Sequence, residues 1–300
     1  MANQTARRNF GGLVDAAVIG LRPSWSTSAD TNFYEGAAVL QKLEAGSAEN
    51  DGYGTCIKTL DGTVQGVFAG VVQKNVTVPA DTDTTFSAGP DPYKYILPVQ
   101  RRGAVEFNAV SGYTPALTDI GRNVFFHSDN EVNLTPPTGS TKIYPILAGQ
   151  IIDFPATGKV LVDITHAVGR RPLLQYLSFT VPSVTVASLN NNTIELMAKA
   201  AAATATSFQF GRRVWLNRLI TTVLTAVDVA TVNVQHSKNN AAYATAQAVA
   251  TTDAAGKSLY STTTLQVAYD PTDCMGLALQ STGNVTTGEL LLTLEILPLQ

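Results

Sequence analysis

The run KVLVDITHAVGRR, Lys159 to Arg171, constrains the fold more than any other stretch of the chain. Val160, Val162, Ile164 and His166 alternate with Leu161, Asp163 and Thr165 until Gly169 and two arginines break the pattern. A period of two puts successive side chains on opposite faces, so the run reads as a half-buried strand that closes one domain and leads into another. Short alternating runs of this kind fill the sequence on both sides of it. The chain is therefore expected to be all-β, with a small β-barrel before the seam and an antiparallel β-sandwich after it.

Within the first part, residues 1–12 carry a basic pair, an aromatic and a double glycine without periodicity. They read either as a solvated tail or as an arm that orders on a neighbouring subunit. Strand-sized pieces come next at Leu13–Leu21, Phe33–Leu43, Thr55–Leu60 and Thr63–Val72, the last two flanking Asp61-Gly62, a hairpin signal. Gly66 and Gly70, four apart in GVFAGVV, suit a bend or a close backbone approach. After the polar excursion Pro79–Tyr93 come Lys94–Val99, the turn Arg101-Arg102-Gly103, Ala104–Val110, Asn123–His127, Ile143–Leu147, Gly149–Phe154 and Lys159–Val168. Short strands with glycine-marked corners favour one strongly bent barrel over residues 13–168.

Residues 169–172 form a linker and 173–300 the second domain. Strands are predicted at Leu173–Val181, Val184–Leu189, Val214–Val223, Val229–His236, 259–269, Cys274–Gln280 and Gly288–Leu297. Thr193–Ala205 reads as a helix, because Ile194, Met197 and Ala201 share a face, or equally as strand, loop and strand. Long strands with irregular loops point to a jelly-roll-like sandwich. No internal repeat relates the two halves.

Charged residues make up 14% of the chain, against roughly 25% in an ordinary soluble domain. Thr, Asn, Ser, Ala and Gly replace them, which suits uncharged β interfaces. The net charge of -3 steers the whole molecule toward no polyanion. Neither a signal peptide nor a membrane helix is expected, since Gly11, Gly12 and Asp15 interrupt the first apolar stretch. Cys56 and Cys274 lie in different halves and read as free thiols.

Chemistry is sparse. His127, His166 and His236 have no second ligand at metal spacing. Glu106, Glu131, Asp153, Asp163 and Glu195 read as solvent-facing acids rather than a glycosidase pair. Asp270–Asp273, DPTD, reads as a turn rather than a calcium loop. No catalytic residue, cofactor or metal is predicted. Basic pairs stand out instead, at Arg7-Arg8, Arg101-Arg102, Arg170-Arg171 and Arg212-Arg213. A guanidinium makes bidentate contacts to carboxylates, so pairs placed at segment boundaries suit docking on an acidic protein surface. The candidate interface is Arg7, Arg8, Phe10, Arg101, Arg102, Arg170 and Arg171.

The strand series YEGAAVLQKL, GTVQGVFAGVV, ILPVQRRGAVEF, GRNVFFHSDNEVNLT, YPILAGQIIDF and GKVLVDI resembles the small β-barrel domain of tailed-bacteriophage capsid decoration proteins, also called structural cement proteins. The part with RRVWLNRLITTVLTAVDVATVNVQ and GELLLTLEIL is similar to β-sandwich domains appended to phage head proteins. The resemblance implies a virion protein on the outer surface of the capsid, a homotrimer near three-fold positions that clamps neighbouring major capsid protein subunits. It implies no nucleic-acid or membrane partner. Alternatives are a head-surface receptor- or glycan-binding module, with Trp215, Tyr243 or Tyr260 as platforms, and a β-rich carbohydrate-active enzyme.

Overall fold

The computed structural model describes residues 18–26, 28–43, 56–81, 95–139, 144–198, 208–261 and 265–299. Residues 1–12, most of the excursion at Pro79–Tyr93 and the Ala-rich 199–207 lie outside them. The chain divides into unit 1, Met1–Pro137 with Ile143–Pro172, and unit 2, Thr138–Lys142 with Leu173–Gln300.

Unit 1 contains β1 (Val18–Leu21), β2 (Thr31–Phe33), β3 (Ala38–Lys42), β4 (Cys56–Ile57), β5 (Gly66–Val72), β6 (Val76–Val78) and β7 (Leu97–Gln100). It continues with β8 (Ala104–Ala109), β9 (Asn123–Phe126), β10 (Glu131–Asn133), β11 (Leu147–Asp153) and β12 (Lys159–Asp163). The last five close into a barrel in the order β10-β8-β12-β11-β9. The earlier strands form a sheet β1-β7-β5-β3-β4, whose ends meet through the parallel bridge Pro23↔Cys56.

These are two copies of one structure. In the first, Val39 pairs Gly70 and Leu40 pairs Phe68 across a bulge at Ala69; in the second, Val124 pairs Gly149 and Phe125 pairs Leu147 across a bulge at Ala148. Val71↔Gln100 and Val72↔Val99 match Gln150↔Asp163 and Ile151↔Val162. The parallel contact recurs too, since Pro23↔Cys56 corresponds to Ala109↔Val132. Its hydrogen bonds also repeat: Ser24 N–H donates to Cys56 O at 2.9 Å, and Val110 N–H to Val132 O at 3.1 Å. Where one barrel was expected over 13–168, the fold builds the same five-stranded barrel twice.

The Asp61-Gly62 turn does not make a hairpin. β4 and β5 flank β3 on opposite sides, so the turn carries the chain across. Asp61 Oδ1 accepts from the Thr63 amide at 3.0 Å and fixes the turn locally. Arg101–Gly103 likewise joins the two barrels rather than two paired strands. Gly66 and Gly70 do mark close approaches. A Cβ at Gly70, whose φ is +136°, would collide with the Gln100 carbonyl oxygen. Side chains of β3 and β5 (Ala38, Leu40, Phe68, Val71) share a core with Phe107, Phe126, Val160 and Val162 of the second barrel. There Phe68 and Phe126 lie 4.8 Å apart between ring centroids. The other face of the first sheet packs Val39, Ala69, Val72 and Val99 against Trp25, and against Phe33 and Val78 of the two-stranded sheet β2–β6.

Unit 2 is the expected sandwich. Its strands are β13 (Gln175–Val181), β14 (Thr193–Met197), β15 (Phe208–Gln209), β16 (Val214–Thr225), β17 (Val232–Lys238), β18 (Ala244–Val249), β19 (Ser258–Tyr260), β20 (Val267–Tyr269), β21 (Cys274–Ser281) and β22 (Glu289–Pro298). One sheet runs β13-β22-β16 with β19 and β20 both on the far side of β16; the other runs β21-β17-β18 with β14 and β15 both on β21. Taking β14/β15 and β19/β20 as one lane each gives eight lanes in the orders 1-8-3-6 and 2-7-4-5. That is jelly-roll topology, an architecture shared by viral capsid and lectin domains. Leu216, Leu219, Val234, Leu277, Leu279, Leu292 and Leu294 fill the space between the sheets.

Two readings change in unit 2. Thr193–Met197 is a strand with Ile194 opposite Leu279, so the helical alternative is lost where the chain is described. Val184–Leu189, predicted as a strand, begins with a helical turn, α1 (Ser183–Val186). Pro182 supplies the carbonyl that accepts from the Thr185 amide at 2.9 Å, and burial of Val186 and Leu189 outweighs the weak helix propensity of Val and Thr. Among the described residues no helix is long and apolar enough to cross a membrane.

Candidate functional site

The first barrel ends at Gln100, and the equivalent residue of the second barrel is Asp163. The two segments that leave these positions meet each other. Gln100 is buried; its Nε2 donates to Arg102 O at 2.6 Å and its Oε1 accepts from Gln73 Nε2 at 2.9 Å. The turn is thus held through its backbone. Gly103 then donates its amide to Thr165 Oγ1 and accepts at its carbonyl from the Ile164 amide, both at 3.0 Å.

At the seam the alternation misleads. β12 stops at Asp163, whose Oδ1 takes the Thr165 amide at 2.9 Å and turns the chain. Gly169, with φ +74°, donates to Phe68 O at 2.8 Å. A Cβ built on it would stand 3.1 Å from Arg101 Nη2. Arg101 therefore lies against Gly169, and Arg170 and Arg171 come directly after it. Ile19, Arg101, Arg102, Thr165 and Val168 line a cleft of about 220 Å³ there.

The electrostatics set these arginines apart. Arg122 pairs with Asp119 at 2.8 Å, Arg218 with Glu295 at 2.9 Å and Arg213 with Asp270 at 3.2 Å. Arg212 reaches Gln175 Oε1. Arg101, Arg102, Arg170 and Arg171 have no ion-pair partner among the described residues. Arg101 Nε is buried without a hydrogen-bond partner. The structure thus brings two of the predicted basic pairs together and commits Arg212-Arg213 to partners within unit 2. Arg7, Arg8 and Phe10 lie outside the described residues. Ile19, Thr165 and Val168 were missed, because only the folding of two distant exits onto each other makes them neighbours.

His166 is exposed, and structural bonds hold other candidates. His127 Nε2 contacts Thr135 O at 2.9 Å. His236 contacts the Tyr269 hydroxyl in a buried pair, and burial, then the charge of Lys238, lowers its pKa to about 4. Among the described residues no cluster of three metal-ligating side chains occurs. Glu106 lies 3.5 Å from Lys159, Asp153 accepts the Phe154 amide at 2.8 Å and Glu131 accepts from Ser128 at 3.1 Å. Asp273 holds Lys238 at 2.8 Å and Asn239 at 2.6 Å, so DPTD is a stapled turn. Cys56 and Cys274 are both buried, and neither forms a disulfide.

Of the proposed aromatic platforms, Trp215 is 1% exposed and Tyr243 donates to Glu195 at 3.0 Å. Tyr260 remains open at 52%, with the Arg218 guanidinium 4.9 Å from its ring centroid. Tyr176, 60% exposed, lies opposite Glu295 in the cross-strand row next to the one that holds Tyr260, and was not singled out from the sequence.

No protein-family model matches the chain, and no curated protein matches it. One solved structure to which it is similar is that of the infectious bursal disease virus Gx strain, at 8% identity, covering 97% of this chain and 77% of that chain with a TM-score of 0.19.

Proposed function

We propose that this chain is a non-enzymatic structural protein of a tailed-phage head, which binds the outside of the shell and stabilises contacts between neighbouring major capsid protein subunits. The observation that carries this reading is the convergence of Arg101, Arg102, Arg170 and Arg171, without an ion-pair partner among the described residues, on one region of unit 1. Unneutralised guanidinium groups beside a cleft favour docking on an acidic protein surface. A homotrimer repeats the contact, so modest interfaces add through effective concentration, and binding only the assembled shell stabilises it by linkage. Arg7, Arg8 and Phe10 then extend the grip as an arm across an adjacent subunit. The jelly roll is presented on the particle surface. No cofactor, nucleic acid or membrane takes part.

Co-sedimentation of the full chain with empty heads that lack it tests the reading. Saturable binding and a higher temperature of head disruption are expected, and deletion of residues 1–12 should lower occupancy. Absence of binding at micromolar chain overturns it.

A second reading rests on the outer face of the β13-β22-β16-β19 sheet. Tyr176 and Tyr260 flank the Arg218–Glu295 pair, and Ser178–Thr293 and Thr222–Ser258 hydroxyl pairs lie alongside at 2.8 and 2.9 Å. Exposed rings with fixed hydroxyls suit a pyranose face. Glycan-array binding that is lost in Y176A/Y260A would favour it.

A further inference from the structure

The cleft between the two barrel exits has a chemistry more specific than positive charge. Ile19 and Val168 give it half-buried apolar walls, Thr165 offers a hydroxyl, and Arg101 and Arg102 supply guanidinium groups. Thr165 Oγ1 already accepts the Gly103 amide, so its own proton is left to donate. Arg101 Nε is a desolvated donor with no hydrogen-bond partner among the described residues. Donors on one side and apolar carbon on the other match a carboxylate carried next to an aliphatic side chain. They match a phosphodiester chain poorly, because Asp163, held only two residues from Thr165, places a negative charge beside the cleft. A single carboxylate can sit away from that charge, whereas a strand with a charge at every residue cannot.

We propose that this cleft is a carboxylate socket that takes an Asp or Glu side chain, with an adjoining apolar residue, from an acidic peptide segment of a neighbouring protein subunit. The socket rests on the reading of unit 1 as a docking module and names what that module grips. Arg101 and Thr165 bind the carboxylate from inside, exposed Arg102 closes over it, and Ile19 and Val168 cover the apolar neighbour. Arg170 and Arg171 lie outside the lining and add only long-range attraction.

Isothermal titration of the full chain with an acetylated, amidated hexapeptide of alternating Glu and Leu tests this, with the Gln–Leu peptide, inorganic phosphate and a thymidine oligonucleotide as further probes. The Glu–Leu peptide is expected to bind and the Gln–Leu peptide not to. R101Q/R102Q should weaken binding at least tenfold, R102Q alone severalfold, and R170Q/R171Q less than threefold at 0.15 M salt. R102Q changes an exposed side chain, so it keeps the test valid if the double variant does not fold. Equal binding of both peptides, indifference to R102Q, or tighter binding of phosphate or oligonucleotide would overturn the socket. Head occupancy measured alongside separates the two claims. Decorated heads without peptide binding remove the socket alone; peptide binding with bare heads removes the head-binding reading alone.

Discussion

Gly70 and Gly149 occupy the same position in the two barrels of unit 1. Each sits just after a bulge, opposite Val39 and Val124 respectively, at φ +136° and +146°. A Cβ on either would collide with a carbonyl oxygen of the neighbouring strand, that of Gln100 or of Asp163. G70A and G149A should therefore each cost about 3 kcal/mol or more, since forbidden backbone and steric collision act together. G112A, with φ +89° and nothing within 4 Å of the added carbon, should cost about 1 kcal/mol. Guanidinium unfolding followed by Trp25 in a W215F background reports on unit 1 separately; equal, small losses at all three positions would count against the repeated geometry.

Glu295, 1% exposed, is held on the outer face of its sheet by Arg218 at 2.9 Å, by Asn217 and by Tyr176. Removing it strands a guanidinium whose side chain is only 13% exposed. E295A should destabilise unit 2 by about 3–5 kcal/mol, and R218M/E295L should recover most of that loss because no charge is left uncompensated. Trp215 fluorescence in a W25F background measures both. A double variant no better than E295A would show that the hydrogen bonds from Asn217 and Tyr176, not the uncompensated guanidinium, account for the loss.

Unit 2 should lose stability in two separate acid windows. Burial, then Lys238, lowers the His236 pKa from 6.5 to about 4, so the unfolded chain takes up a proton that the fold refuses. Stability is then full above pH 6.5 and falls as the pH drops to 4, with a slope of at most about 1.4 kcal/mol per pH unit. For Asp273 burial acts upward, but hydrogen bonds from Asn239 and Lys238 win and hold its pKa at about 2. Its contribution is lost only as the pH falls below its ordinary 3.8. H236Q should flatten the upper window and leave the lower one, read as melting temperature against pH. An unchanged slope between pH 6.5 and 4 in H236Q would assign that window to another group.

What could be read from residues alone was whatever depends on local period. The alternation in Val214–Val223 and the apolar run before Leu297 became the long strands β16 and β22. The repeat escaped because the copies share few identities at matched positions: Gly36 and Gly121, Val39 and Val124, Ala69 and Ala148, Gly70 and Gly149, Val99 and Val162. Backbone register, set by bulges, carries the likeness instead. Val184–Leu189 misled since its β-branched residues come after a proline whose carbonyl starts a helical turn. Arg101, Arg102, Arg170 and Arg171 could be flagged as pairs at boundaries, yet their convergence depends on the contacts Gly103–Thr165 and Gly169–Phe68, between residues far apart in the chain.

If the arginine face of unit 1 grips a protein shell, electron cryomicroscopy of heads incubated with the chain will show it. Density for unit 1 is expected on the outer surface, bridging at least two major capsid protein subunits, with Arg101 and Arg102 against their carboxylates and Arg170 and Arg171 close by without direct contact. That density should be lost in R101E/R102E/R170E/R171E. Heads that stay bare, or heads held only through unit 2, would contradict the proposed grip.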